Sequence, residues 1–192
     1  RKLSVGMDED FTVSVRPLLD PELGRSAPRD QSFFTGIETY MHCFESIRGS
    51  YRNVIVDKLS LAAMELCREV FLGASDMMSD ENLEKMMVAS YLGGMAAGNT
   101  GVVHPVSAGL SVVLHVPHGK ANCYALSVLG DVYHEEHKEF QEMLSRNGIS
   151  LPKGLCANLA PAQYQALYEG SIIHEKPLTN ALGPEFNSIL SE

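Results

Sequence analysis

The sequence predicts an all-α protein, a helical bundle with almost no sheet. Apolar residues recur with the 3.6-residue period of an α-helix through most of the chain after residue 28. Glycines, prolines and capping residues divide this pattern into segments of helical length. No glycine-rich strand-turn-helix segment of the kind that binds dinucleotides is present. Together these observations favour about six helices packed around one hydrophobic core.

The first 28 residues are expected to form an irregular lead-in. Regular structure is expected to be interrupted there by Pro17, Pro21, Gly24 and Pro28. Only residues 11–15 alternate between apolar and polar types, so the lead-in is expected to contain at most one short strand. The remaining residues, 29–192, are expected to form a helical domain.

Each predicted helix is delimited by a recognisable start or stop signal. The predicted helices span residues 29–48, 54–72, 80–98, 105–116, 118–146 and 161–169. Gly49 and Gly73 end the first two, and Ser79, followed by two acids, caps the third. Pro117 separates the fourth helix from the fifth. The tail after residue 175 is predicted to be a loop followed by one last turn.

The third predicted helix ends in an unusual density of small residues. Its last residues, 93–98, read GGMAAG. Glycine costs about 1 kcal/mol relative to alanine at each interior position of a helix. The run therefore predicts that another backbone packs very closely against this end of the helix.

The composition excludes several classes of protein. The formal net charge is −9, and an acidic surface repels phosphate backbones, so no nucleic-acid partner is expected. No segment approaches the roughly 20 apolar residues that span a bilayer, and the N-terminus lacks an apolar signal core. A cytoplasmic protein without a membrane partner is therefore expected. The four cysteines include no CxxC pair and are expected to be reduced.

Four side chains form a candidate metal site. Glu38 and His42 are four residues apart on the first predicted helix, so both project from the same face. His104 and His118 flank the most apolar predicted helix. Each histidine taken alone suits a core hydrogen bond as well as a metal. Three imidazoles and one carboxylate in one chain are a suitable ligand set for a borderline divalent metal, Fe²⁺ or Zn²⁺.

Two segments resemble the signature blocks of the iron-type (group III) alcohol dehydrogenases. The first is residues 35–46, TGIETYMHCFES. The second runs from GVVH at residues 101–104 to PHGKAN at residues 117–122. In that family the first block supplies a carboxylate and a histidine four residues apart. The second block supplies two histidines separated by fourteen residues, which is the separation of His104 and His118.

The resemblance implies both a fold and a chemistry. It covers nearly the whole chain, including DPEL at residues 20–23 and PLTNALG at residues 177–183. The implied fold is the C-terminal metal-binding domain of such an enzyme, without the N-terminal α/β domain that supplies most of the dinucleotide site. Four residues would be the ligands of Fe²⁺ or Zn²⁺: Glu38, His42, His104 and His118.

The activity that the resemblance implies is oxidation of a primary alcohol of a polyol or sugar acid, or reduction of the aldehyde, with NAD(P) as hydride carrier. Within the family, general similarity around His104 and in the tail points to the 3-deoxy-manno-octulosonate 8-oxidase type. The expected small-molecule partner is therefore an alcohol or aldehyde substrate.

Three departures from the family pattern affect these expectations. Glu38 stands where the family usually has aspartate. Ala108 stands where many members carry a further histidine, which is thought to assist proton transfer. The family's chains are roughly twice this length, so NAD(P) would require an α/β domain from a missing half or from a partner chain. The chain is accordingly expected to be a fragment, a natural half-enzyme or a repurposed metal domain.

Other polar residues carry weaker signals. Lys120 and Asn122 follow His118 and are candidates for contact with a cofactor phosphate, although exposed polar residues at a helix start explain them almost as well. His115 is a candidate for lining the cavity beside the metal or for packing in the core. The segment HEEH at residues 134–137 has its histidines three apart instead of four, so it is interpreted as a solvated helix face.

Two further hypotheses remain open from the sequence. One is a stand-alone non-haem metal enzyme of another class, with lyase, hydration or oxygen chemistry. The other is a metal-bound interaction module that pairs with a separate α/β chain. A helical domain without its α/β half would expose the face that this half normally covers, which predicts a homodimer.

Overall fold

The computed structural model describes residues 14–184. Within that range the chain forms eight α-helices and no strand, so the predicted all-α fold is confirmed there. The helices are α1 (Arg29–Arg48), α2 (Val54–Arg68), α3 (Asp80–Ala96), α4 (Val103–Leu114), α5 (His118–Val128), α6 (His134–Arg146), α7 (Pro161–Ile172) and α8 (Glu175–Leu182). None of the helices in this part of the chain is long and apolar enough to cross a membrane.

Helix α1 is the central element of the bundle. It packs against α2, α3 and α5, while α4 packs against α5 and α7. Five large apolar side chains of α1 are completely buried: Phe33, Ile37, Tyr40, Met41 and Phe44. The ring of Phe33 meets that of Phe71 edge to face, with centroids 5.1 Å apart. Because protein interiors are close-packed, α1 has little freedom to move within this core.

The cysteines agree with the reduced state that was predicted. All four are free, and three of them, Cys43, Cys67 and Cys123, are buried. Burial raises the pKa of the Cys43 thiol to about 12, so this residue packs as a small apolar side chain.

The predicted start and stop signals are confirmed for α1 and α3. Helix α1 has the predicted bounds and is followed by Gly49. The hydroxyl of Ser79 accepts a hydrogen bond from the backbone N–H of Asn82, 3.4 Å away, and so caps α3. Helix α2 stops at Arg68, and a π-helical turn (Glu69–Gly73) continues it to the predicted glycine.

The prediction of one helix over residues 118–146 is wrong, because this segment forms two helices. Helix α5 ends at Val128 and α6 begins at His134. Gly130 lies just beyond the end of α5, where glycine commonly terminates a helix. The break turns Tyr133 inward, and this residue is only 5% exposed.

The prediction of a loop for the tail is also wrong, since Glu175–Leu182 forms α8. Pro177 lies in the first turn of α8, where its missing N–H breaks no helical hydrogen bond. The side chain of Asn180 is buried and donates hydrogen bonds to the carbonyls of Asn99 and Thr100. Helix α8 is thereby attached to the segment between α3 and α4. Helix α7 also extends beyond its predicted end, to Ile172.

The lead-in contains little regular structure where it is described. The predicted strand at residues 11–15 lies mostly outside the described residues, and Ser14 and Val15 do not form a strand. A single 3₁₀ turn (Pro21–Gly24) precedes α1 in the described range, with the carboxylate of Asp20 accepting a hydrogen bond from the N–H of Glu22.

The glycine-rich end of α3 makes a close contact at one position. A Cβ atom added to Gly93 would lie 2.7 Å from Cγ2 of Thr39 and 3.3 Å from Sγ of Cys43, both on α1. A Cβ atom on Gly94 or Gly98 would meet nothing within 4 Å. A close neighbour is therefore present at Gly93, although its nearest atoms belong to side chains and not to the predicted backbone, and none is present at Gly94 or Gly98.

Separate alanine substitutions at Gly93 and Gly94 are expected to have opposite effects on stability. Gly93→Ala should lower the free energy of unfolding by about 1–3 kcal/mol, the range for an overpacked core, because the β-branched Thr39 is stiff and buried. Gly94→Ala should raise it by up to about 1 kcal/mol, since alanine is the better helix former. Urea unfolding followed by circular dichroism measures both. Equal changes in the two variants would contradict the described packing.

Candidate metal centre

Three helices bring the predicted ligands together. Glu38 and His42 lie on α1, His104 is in the first turn of α4, and His118 is the first residue of α5. One ligand atom from each of Glu38, His104 and His118 lies within 4.8 Å of the others. His42 is outside this group of three, but its Nε2 is 3.6 Å from Oε1 of Glu38. The ring of His42 also lies against that of His104, with centroids 4.1 Å apart.

Helix α5 can approach α1 closely because residue 119 is glycine. A Cβ atom on Gly119 would lie 2.6 Å from the carbonyl oxygen of Phe34 and 3.3 Å from Oε2 of Glu38. Any side chain at this position would therefore push the two helices apart. The close approach places Nε2 of His118 3.1 Å from Oε1 of Glu38.

The charges of the cluster favour the ligand forms that bind metals. Burial alone would raise the pKa of Glu38, but hydrogen bonds and charges from His118 and His42 hold it well below its usual range. Burial, together with the neighbouring His104, lowers the pKa of His42. An ionised carboxylate and a neutral imidazole are the forms that coordinate a divalent cation.

Two ring nitrogens in the cluster are buried without a partner among the described residues. Nε2 of His104 has no hydrogen-bond partner among residues 14–184, and the same holds for Nδ1 of His42. Most buried polar atoms in proteins are hydrogen-bonded, so a free imidazole nitrogen beside a carboxylate fits a ligand better than a core histidine. The side chain of His118 is 49% exposed, which leaves the cluster open on one side. These residues fit Fe²⁺ or Zn²⁺.

A further carboxylate, Glu45, completes the surroundings of His104 but is not among the residues predicted from the sequence. Its side chain has no exposed surface, and its Oε2 lies 2.6 Å from Nδ1 of His104. Its Oε1 accepts hydrogen bonds from the N–H of Val103 (2.7 Å) and the hydroxyl of Tyr133 (2.9 Å). Burial alone would raise the pKa of Glu45, but the hydrogen bond and charge of His104 lower it.

The sequence does contain a signal for Glu45. Glu38, His42 and Glu45 follow one another at spacings of four and three residues, so they share one face of α1. An acid surrounded by core residues, in the segment CFES, is also unusual because glutamate is almost never fully buried without a partner. Tyr133 carries no comparable signal, since its inward position depends on the break between α5 and α6.

The two candidate cofactor contacts differ in exposure. Asn122 is completely buried, and both polar atoms of its amide lack a partner among the described residues. The interpretation of Asn122 as an exposed residue is therefore wrong. Lys120 is partly exposed, with its Nζ 5.7 Å from the ring centroid of Phe34. Contact of Lys120 or Asn122 with a cofactor phosphate stays a prediction.

The remaining histidines of interest lie apart from the cluster. His115 follows α4 with a positive φ of 56° and is exposed, so it is not packed in the core. His134 is exposed at the start of α6, and a ring nitrogen of His137 is 3.3 Å from the carbonyl oxygen of Ser127. None of these three histidines belongs to the candidate metal-binding group found in residues 14–184.

A separate apolar cleft lies between α4, α5, α6 and α7. Its volume is about 1130 Å³, and Val106, Leu110, Tyr124, Leu144 and Leu167 are among the residues that line it. None of the predicted metal ligands lines this cleft. The volume of the cleft therefore has no bearing on the metal centre.

Comparison with known proteins identifies relatives of the same type. A model of the Fe-containing alcohol dehydrogenase family, C-terminal part, matches residues 32–163. Sulfoacetaldehyde reductase of Bilophila wadsworthia is 32% identical over 122 residues, which are 60% of this chain and 31% of that protein. 4-Hydroxybutyrate dehydrogenase of Clostridium kluyveri is 27% identical over 142 residues, covering 71% of this chain and 38% of that protein. The chain thus matches about a third of the length of these relatives.

Solved structures share the fold. Sulfoacetaldehyde reductase from Bifidobacterium kashiwanohense, in complex with NAD⁺, superposes with a TM-score of 0.70 at 20% identity, over 90% of this chain and 52% of that one. The iron-containing alcohol dehydrogenase from Thermococcus thioreducens gives a TM-score of 0.72 at 17% identity, with the same coverage of 90% and 52%.

The family match extends over more than half of the chain, and the helical architecture agrees with it. The finer likeness to the octulosonate 8-oxidase type stays a prediction. The chain therefore belongs to the iron-containing alcohol dehydrogenase family and corresponds to its C-terminal, helical part.

Proposed function

We propose that this chain is the metal-binding part of an oxidoreductase that interconverts a primary alcohol of a polyol or sugar acid and the aldehyde, with NAD(P) as hydride carrier. The observation that carries the proposal is the convergence of Glu38, His104 and His118 within 4.8 Å. The names of the relatives, a sulfoacetaldehyde reductase and a 4-hydroxybutyrate dehydrogenase, support an alcohol or aldehyde substrate.

Each proposed ligand has a distinct position in the site. The residues that would hold Fe²⁺ or Zn²⁺ are Glu38, His42, His104 and His118. A bound metal of this kind supplies a Lewis acid, which polarises a carbonyl oxygen and favours ionisation of a hydroxyl group. Glu38 contributes the negative charge at the centre of the three imidazoles. His118 is half-exposed, so the substrate would approach the cluster from the side of this residue.

The proton that leaves the alcohol needs a route that does not use residue 108. Ala108 lies one turn after His104 on α4 and is 9% exposed. Its methyl group cannot accept a proton, unlike the histidine that many family members carry there. We infer that the proton passes to solvent on the open side of the cluster, beside His118.

The hydride carrier would be bound by another part of the protein. The described residues contain no strand, and hence no strand-turn-helix dinucleotide site. NAD(P) supplies hydride acceptance, and it would be held by an α/β domain in the same chain or in a partner chain. Lys120, two residues after His118 and partly exposed, would be available to contact its phosphates.

Metal content tests the proposal directly. Elemental analysis of the purified chain, after anaerobic reconstitution, is expected to give about one Fe or Zn per chain, as one four-ligand site requires. A His104→Ala, His118→Ala double variant should lose this metal. The matched control is His134→Ala, His137→Ala, which also removes two histidines but leaves the cluster intact. Absence of metal from the reconstituted wild type would refute the central claim.

Titration of the metal-loaded chain with NAD(H) tests whether this chain binds the hydride carrier by itself. Dinucleotide binding would support the oxidoreductase. Metal without dinucleotide binding would leave three accounts: an oxidoreductase whose α/β domain lies elsewhere, a stand-alone metal enzyme of another class, or an interaction module that requires a separate α/β chain.

Two substitutions at Glu38 should separate the effect of its charge on Zn²⁺ affinity from the effect of its side-chain length. Glu38→Gln removes the only carboxylate of the proposed ligand set and is expected to lower Zn²⁺ affinity at least about tenfold. Glu38→Asp keeps the charge and introduces the residue usual in the family, so it should bind Zn²⁺ more tightly than the glutamine variant. Isothermal calorimetry measures both, with Glu135→Gln on the exposed face of α6 as the control. Equal affinities in wild type and Glu38→Gln would exclude Glu38 as a ligand.

Self-association is expected from the exposed apolar side chains. Val54 and Ile55 at the start of α2 are each 74% exposed, and Val128 at the end of α5 is 75% exposed. Surfaces of this kind are normally covered by another chain or domain. Light scattering is therefore expected to give a mass above that of the 21.0 kDa monomer. A monomeric mass across the accessible concentration range would contradict this expectation.

A further inference from the structure

Glu45 is a fully buried carboxylate that joins three parts of the fold. It lies on α1 and contacts the start of α4 through Val103 and His104. It also contacts Tyr133 in the segment between α5 and α6. Burying an unpaired carboxylate is strongly unfavourable, whereas hydrogen bonds to the charged group offset that cost. Three such bonds therefore account for the burial of this side chain.

Both partners of Oε1 of Glu45 donate hydrogen bonds to it. The backbone N–H of Val103, 2.7 Å away, can only donate. The hydroxyl of Tyr133 already accepts from the N–H of Val102 at 3.0 Å, so its own proton is donated to Oε1 of Glu45 at 2.9 Å. The atom at the position of Oε1 must therefore be a hydrogen-bond acceptor.

Oε2 of Glu45 determines where His104 carries its proton. It lies 2.6 Å from Nδ1 of His104. An ionised carboxylate has no proton to donate, so the proton of this hydrogen bond belongs to Nδ1. In the neutral form of the imidazole, a proton on Nδ1 leaves Nε2 unprotonated. Nε2 is the buried nitrogen that has no partner among the described residues.

The arrangement also requires glycine at residue 101. A Cβ atom on Gly101 would lie 2.7 Å from Oε1 of Glu45 and still closer to the hydroxyl of Tyr133. Any other residue would displace both groups. The backbone before α4 can therefore lie this close to the carboxylate of Glu45 only because residue 101 has no side chain.

We propose that Glu45 is a positioning residue that keeps the proton of His104 on Nδ1, and so presents Nε2 of His104 as a free ligand. The importance of a free Nε2 rests on the proposed metal site, whereas the hydrogen bonds that fix the proton do not. Tyr133 and the N–H of Val103 act through Glu45, because they hold its carboxylate in one orientation.

The isosteric variant Glu45→Gln tests the proposal. The donors at Oε1 require the carbonyl oxygen of the glutamine in that position, so its NH₂ group faces His104 and donates to Nδ1. The proton of His104 is then expected to move to Nε2. Long-range ¹H–¹⁵N NMR of protein labelled in histidine reports this tautomer without any metal, with the His104 signals identified by their loss in His104→Ala. Zn²⁺ affinity is expected to fall by about 10- to 100-fold.

Tyr133→Phe is a milder second variant, and Tyr40→Phe is its matched control. Tyr40 also donates from a buried phenol to a carboxylate, that of Glu139, but this bond does not involve His104. Tyr133→Phe should weaken Zn²⁺ binding by a smaller factor than Glu45→Gln, and Tyr40→Phe should leave both tautomer and affinity unchanged. If circular dichroism shows that Glu45→Gln does not fold, the proposal is tested by comparing Tyr133→Phe with Tyr40→Phe. Equal Zn²⁺ affinities of these two variants would overturn the proposal.

The outcomes separate the role of Glu45 from the proposed function. An unchanged tautomer and unchanged Zn²⁺ affinity in folded Glu45→Gln would overturn the role of Glu45 and leave the metal site standing. A tautomer that inverts in the variant, in a chain that binds no Zn²⁺, would refute the metal site and support the role of Glu45.

Discussion

The hydrogen bonds around the buried carboxylate of Glu45 constrain the site more than any other interaction described above. A charged group without exposed surface is stable only where hydrogen-bond donors surround it. Its partners come from the start of α4 and from the segment before α6, which are 30 residues apart in sequence, at Val103 and Tyr133. These hydrogen bonds hold the start of α4, and with it His104, against α1.

The second constraint is the close approach of α5 to α1. Gly119 lets the backbone of α5 lie against the carbonyl of Phe34, and this contact brings His118 to Glu38. The two constraints act on different ligands, since Glu45 fixes His104 and Gly119 places His118. Glu38 and His42 need neither, because they are already neighbours on one face of α1. The site therefore assembles from one rigid helix and two independently positioned histidines.

Local signals were sufficient to predict much of the fold. The bounds of α1 and the cap of α3 follow from periodicity, Gly49 and Ser79, which act within a few residues of the structure they determine. Gly130 is a signal for the break between α5 and α6, but the apolar periodicity on both sides of it favours one continuous helix. Helix α8 could not be predicted in this way, because Pro177 is as typical of a loop as it is of the first turn of a helix.

The residues of the site also differ in whether local sequence signals can predict them. The spacing of Glu38 and His42 predicts that they share one face of α1, whereas the proposed metal site, with His104 and His118, rests on a resemblance between sequence blocks. The role of Glu45 could be suspected from an acid within an apolar segment. Its partner Tyr133 could not be predicted, because an inward tyrosine in a connecting segment depends on tertiary packing. The same limit explains the glycine run, in which only Gly93 faces α1.

In the proposed metal site, the longer side chain of Glu38 would be accommodated by the one ligand that is free to adjust. The backbone of α1 is held by completely buried neighbours such as Ile37 and Tyr40, so it cannot retreat to absorb an extra methylene. His104 is fixed by its hydrogen bond to Glu45, and the buried His42 lies against its ring. His118 is the exposed member of the cluster, with the shortest distance to Glu38, 3.1 Å. A ligand set with glutamate in place of aspartate therefore differs from the family pattern chiefly on the open side, where the substrate would approach.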